Sequence, residues 1–289
     1  MPATVLGQAT SHGLVLPVIF HFILSLPAGR QASIPEPLLM AGHNKWSKVK
    51  HIKGVVDVRR GRIFSKLSKE LSVAARQGGG DPGLNARLRQ AINAARTQNM
   101  PGDTIERAIL KGTGELEGQS IEEILYEGYG PGGIAILVQT ATDNKNRTAA
   151  DIRRAFTRNA GNLGSSGSVT FLFQRKGEIT VPLGAGSEDR ILELALEAGA
   201  DDVSQDDEHH CILTGPDALA AVADYLQGQN VEVIAQKLVY LPETSILIEE
   251  PDVAAQIIRL CEALDDLDDT IQVFSNFELP DSVLTEIRT

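Results

Sequence analysis

A chain of 289 residues has room for about two to three domains, and 42% hydrophobic residues suffice for ordinary globular cores. Aromatics at 4% make those cores aliphatic, and two cysteines fifty residues apart, Cys211 and Cys261, exclude a C-x-x-C zinc or redox motif and read as reduced buried thiols. The net charge of −11 hides a division: from Ala41 to Gly114 fifteen Lys and Arg face five acids, whereas from Glu115 to Thr289 eleven face thirty-two. Such a split assigns a polyanion partner to the basic segment alone.

In chain order, the apolar stretch Gly13 to Leu26 comes first. It is too short, and too broken by Pro17 and His21, for a membrane span. No Lys or Arg precedes it, as a secretory leader would require. Residues 1–39 are therefore expected to be a non-core extension of a cytoplasmic protein, with Met40 as an internal or true start. The segment "AGHNKWSKVKHIKGVVDVRRGR" follows, with Lys45, Lys48, Lys50, Lys53, Arg59, Arg60 and Arg62 against the single acid Asp57. Trp46 sits among the lysines and reads equally as a base-stacking ring or as an anchor to the core.

Residues 59 to 76 have helical periodicity. Ile63, Phe64, Leu67, Leu71, Ala74 and Ala75 fall on one side, and Arg62, Lys66, Lys69 and Arg76 on the other. A second helix is expected from Asp81–Pro82, burying Leu84, Leu88, Ala91, Ile92 and Ala95. A third follows Pro101, with Ile105, Ala108 and Ile109 inward, Arg107 and Lys111 four apart, and a stop at "GTG". "ILYEGYGPGGIAILVQTAT" predicts two strands around a glycine-proline turn, and "DNKNRTAADIRRAFTRNAGNLG" a helix capped near Asp143 or Asn144 and stopped by glycines. Residues 178 to 242 read β-α-β-β-α-β, a ferredoxin-like split unit. "PDVAAQIIRLCEALDDLDD" is a further helix and "IQVFSNFEL" a further strand, short of local partners. They are expected to complete the sheet begun at Ile124.

The fold class is thus multidomain α+β: a basic helical domain (40–117), an α+β domain (118–168 and 246–289), and a ferredoxin-like α+β domain (169–245) inserted in it. Catalytic chemistry has no residues to stand on. His209, His210 and Cys211 are adjacent on a strand and point to opposite faces, so no metal site is expected. The acids of "DDLDD" (Asp265 to Asp269) read as a solvated run. No Walker, G-x-S-x-G or H-E-x-x-H pattern occurs. No cofactor, membrane or small-molecule substrate is expected.

"MAGHNKWSKVKHIKG", "GRIFSKLSKEL", "NARLRQAINAARTQNMP", "YEGYGPGGIAILVQTATDNKNRTAADIR" and "GSVTFLF" closely resemble the YebC family, which includes the mitochondrial translational activator of cytochrome oxidase. The resemblance runs from Met40 nearly to the C-terminus. It implies three domains and a non-enzymatic role, either as a DNA-binding transcriptional regulator or in translation on the ribosome, where proline-rich chains stall. Residues expected to meet nucleic acid, DNA or ribosomal RNA, are Lys45, Trp46, Lys48, Lys50, Lys53, Arg59, Arg60, Arg62, Lys66, Lys69 and Arg76. No readable recognition helix stands out. A protein-docking role for the basic ridge is the alternative.

Overall fold

The structure, a computed structural model, describes residues 59–116, 121–206 and 208–288. The expectations for residues 1–39 and for the tail that ends at Lys53 lie outside the described residues. Three helices come first: α1 (Arg59–Gly78), α2 (Ala86–Thr97) and α3 (Gly102–Thr113). Their apolar stripes meet in one aliphatic core around Leu71, Ala74, Leu88, Ala95, Met100 and Ile105. Gly112 makes this packing close, because any Cβ there would strike the carbonyl oxygen of Ser72. The Ser72 hydroxyl in turn donates to the carbonyl of Ala108 at 2.7 Å.

Helix α2 begins later than its proline suggested. Asp81 forms a turn instead, its carboxylate accepting from the Gly83 amide and its carbonyl from Leu84 and Asn85. Asn85 is the cap: its side-chain oxygen accepts from the Leu88 amide, and its amide donates to the carbonyls of Ala74 and Gly79. Leu84, expected in the buried stripe, therefore lies in the turn and is 87% exposed.

The remaining elements are β1 (Glu122–Tyr129), β2 (Ala135–Thr142), α4 (Lys145–Arg158), β3 (Asn162–Leu163), β4 (Phe173–Pro182), α5 (Glu188–Glu197), β5 (Asp202–Gln205), β6 (His209–Thr214), α6 (Leu219–Gly228), β7 (Ala235–Pro242), β8 (Ile246–Leu247), α7 (Pro251–Asp265), β9 (Thr270–Ser275), β10 (Phe277–Glu278) and α8 (Asp281–Arg288). They form two four-stranded antiparallel sheets, ordered β3-β1-β2-β9 and β5-β6-β4-β7, and a small parallel pair of β8 with β10. Tyr126 faces Val138 across β1–β2, and Val138 faces Val273 across β2–β9. Helix α8 was not foreseen. It closes one end of the first sheet's core with Val283.

The sheets are buried by alternation. In β2, Ile136 and Val138 face α4 and α7, meeting Ile152, Phe156, Ile257 and Leu264. Ala135 and Leu137 point the other way, onto the second sheet, where Phe173, Cys211, Leu213, Val239 and Leu241 meet them. Tyr240 and Phe274 lock this seam edge to face, their rings 5.3 Å apart. The second sheet's far face, with Ile179, Val181 and Ile212, is covered by α5 and α6. The order is helices, sheet, sheet, helices. Both cysteines are free and buried, with their thiol pKa pushed up by burial. Among the described residues no helix is long and apolar enough to cross a membrane, and no group of three or more His, Cys, Asp or Glu could hold a metal ion.

The passage from the first sheet to the second is pinned by one carboxylate. Glu127 of β1 is buried and accepts from the amides of Gly167, Val169 and Thr170 at 2.6, 2.8 and 2.9 Å. Burial alone would raise its pKa, and these amides outweigh burial and hold it below the usual range. Glu127→Ala is expected to leave three amides without acceptors. Hydrogen exchange at Gly167, Val169 and Thr170 should then quicken about tenfold or more, the loss of at least ~1.4 kcal/mol of local stability. Unchanged exchange there would refute the role.

Candidate nucleic-acid interface

Of the residues expected to meet nucleic acid, Lys45, Trp46, Lys48, Lys50 and Lys53 lie outside the described residues. Arg59, Arg60 and Arg62 fall in the first turn of α1, with side chains outside the described set. Lys66 and Lys69 are described, and they do not face solvent. Lys66 Nζ donates to the Asp265 carbonyl at 2.6 Å and to its carboxylate at 3.0 Å. Lys69 Nζ donates to the Asp268 carbonyl at 2.5 Å and to Asp269 Oδ1 at 2.6 Å. The two lysines thus meet the C-terminal end of α7, where carbonyls lack helical partners and the helix dipole is negative. Arg76 is exposed, and its Nη1 donates to the Ile121 carbonyl at 2.6 Å.

This corrects two expectations. The α1 face opposite Leu67 and Leu71 is a docking face, and the 265–269 run is not simply solvated. The reason can be traced to Val73. At about 100° per residue it falls among Lys66, Lys69 and Arg76. It is 2% exposed, sealed against Ile121, Ala141 and Ile271. A valine in the middle of a basic stripe was the available signal that this stripe is covered.

Asp269 is the centre of the docking. Its carboxylate also accepts from the hydroxyls of Thr142 and Thr148 at 3.1 and 2.6 Å, and from Arg147 at 3.1 Å. Burial pushes its pKa up, but Lys69, Thr148 and Arg147 outweigh burial and bring it from 3.8 to about 2. A second bridge is Arg87 of α2. It pairs with Glu70 of α1 at 2.8 Å and with Glu123 of β1 at 2.6 Å. Burial lowers its pKa, and the two carboxylates outweigh that and raise it.

Other cations remain uncompensated. Arg107 and Lys111, one turn apart on α3, have no ion pair among the described residues. They line a cleft of about 250 Å³ between α1 and α3, with Ser65, Ser68, Thr104 and Asp143. Helix α4 is a second basic element. Lys145, Arg147, Arg153, Arg154 and Arg158 lie within its fourteen residues, against one acid, Asp151. Arg153 and Arg158 are exposed and without ion pairs among the described residues. Summing charge over the whole acidic segment concealed this helix. In the His209–Cys211 run, His210 is buried with its Nε2 3.2 Å from the Gly186 carbonyl.

The docking predicts a specific acid sensitivity. Asp269 has a depressed folded-state pKa, so its contribution is full above the unfolded value near 3.8 and is lost as pH falls toward about 2. That contribution is about 2 kcal/mol, and Asp269→Asn should flatten the fall in melting temperature between pH 5 and pH 2 relative to the parent. Lys66→Gln with Lys69→Gln should cost about 2 kcal/mol in thermal or urea unfolding at neutral pH. A double variant as stable as the parent would contradict the docking role.

Comparison with known proteins places this geometry. The family model described as the TACO1/YebC protein N-terminal domain matches residues 44–115. The model for the TACO1/YebC second and third domain matches residues 121–277. A relative from Aquifex aeolicus, called a probable transcriptional regulatory protein, is 47% identical over 86% of this chain and 100% of its own. One from a Sulfurihydrogenibium species, with the same description, is 49% identical over 86% of this chain and 100% of its own. The crystal structure of a conserved hypothetical protein from Aquifex aeolicus superposes with a TM-score of 0.75 at 47% identity, covering 82% of this chain and 97% of that one. The chain belongs to the TACO1/YebC family, a non-enzymatic regulator family.

Proposed function

We propose that the protein is a cytoplasmic regulator of gene expression that binds nucleic acid through the phosphate backbone and carries out no reaction itself. The observation that carries this is the division of its cations. Lys66, Lys69 and Arg87 are used internally, whereas Arg96, Arg107 and Lys111 on the same three helices have no ion pair among the described residues. An uncompensated basic surface on an otherwise acidic chain suits phosphate contacts. The tail cations Lys45, Lys48, Lys50 and Lys53 add charge to the same segment. We take DNA as the target, in line with the relatives' description as transcriptional regulators. Ribosomal RNA offers the same phosphate chemistry. We also read residues 169–245 as a ferredoxin-like domain inserted in the first sheet's domain. The pairing of β9 with β2 and the strand order β5-β6-β4-β7 support that reading.

The test is equilibrium binding of the full chain to a short labelled duplex and to a single-stranded RNA of the same sequence across a salt series. Log K should fall with log salt by about 0.9 per phosphate contact on duplex and about 0.7 on a single strand. Tighter binding to RNA, with co-sedimentation with ribosomes in a sucrose gradient, would move the reading to translation. Absence of salt-dependent binding to either would refute it and leave protein docking.

A further inference from the structure

We propose that the cleft between α1 and α3 seats one backbone phosphate of the bound nucleic acid, held by Arg107 and Lys111 with the hydroxyls of Ser65, Ser68 and Thr104 as neutral donors. This rests on the nucleic-acid reading and assigns it a place. Two helices supply the donors. Ser65 and Ser68 are three apart on α1; Thr104, Arg107 and Lys111 follow at spacings of three and four on α3, so each set shares a face.

The cleft's hydrogen bonding is unbalanced in one direction. Among the described residues, none of these five side chains donates to or pairs with another group. The neighbours that also line the cleft are satisfied. The Ser72 hydroxyl bonds the carbonyls of Ser68 and Ala108, and Lys69 is held by Asp268 and Asp269. The acid on the rim, Asp143, is paired with Arg147 at 3.0 Å, so its charge is offset. Two cations without a counter-charge and three hydroxyls without a partner among the described residues suit a ligand that offers acceptors and negative charge, to which each hydroxyl can donate. A phosphate has that composition, and an arginine can grip it through two parallel N–H bonds. The volume of about 250 Å³ admits a phosphate group.

The experiment compares the full chain with three variants in the salt series, using the same labelled duplex and RNA. Arg107→Gln with Lys111→Gln should flatten the slope by about one to two units on duplex, with melting temperature preserved because neither side chain has an ion pair or hydrogen bond among the described residues. Ser65→Ala with Ser68→Ala should weaken binding severalfold and leave the slope unchanged, since hydroxyls displace no counterions. Arg175→Gln with Arg190→Gln, on the second sheet's domain, should change neither. If the Arg107 and Lys111 variant keeps parental affinity and slope, the seat is wrong and the nucleic-acid reading stands. If the parent itself fails to bind, both fall. Were the charge variant to lose its fold, the serine variant decides: parental affinity there would overturn the seat.

Discussion

The Asp269 carboxylate fixes how the three-helix unit of α1 sits on the layer built by β2 and α4. Its donors come from α1, from the end of β2 and from α4, and it follows directly on the loop that ends α7. A carboxylate with this many donors tolerates burial because each lone pair is used. The consequence is geometric. Lys69 positions α1, Thr148 positions α4 and Thr142 positions the last residue of β2, all against one pair of oxygens. Arg87 does the same work from the opposite charge, joining α1, α2 and β1 through Glu70 and Glu123. Polar contacts of this kind fix orientation more than they add stability, since hydrophobic seams alone permit sliding.

Strand β2 is the structural counterpart of that carboxylate. It is central in its sheet and buried on both faces, which is why its first half reads "AILV" with no polar residue. One face belongs to the helices α4 and α7, the other to the second sheet. Mutations in β2 therefore reach two cores at once, and neighbouring substitutions there should be strongly non-additive.

Most elements were legible because their signals are local. Helix periodicity gave α1, α3, α4 and α7, and the extended patterns gave the strands of both sheets except the two-residue β3, which lies in the stretch expected to end the α4 helix. Asp81–Pro82 misled because proline at a first turn and proline in an Asx turn look alike until the cap is known, and only Asn85 decides it. The short α8 carries too few turns for a period to show. The site was less legible. Lys66 and Lys69 find acids 199 and 200 positions away, and no local window contains that pairing. Val73 was the one nearby hint. Arg107 and Lys111 were readable as a pair from their spacing, but their cleft depends on Ser65 and Ser68 of another helix.

The two thiols give the molecule a pair of internal clocks. Cys211 lies in the seam between the sheets, and Cys261 lies on the buried face of α7, in the first sheet's helix layer. Burial raises the pKa of both, so neither should react until its own layer opens. A thiol reagent would therefore time the parting of the two sheets at one cysteine and the lifting of α7 at the other. Without any added label, it would tell whether the layers separate together or in turn.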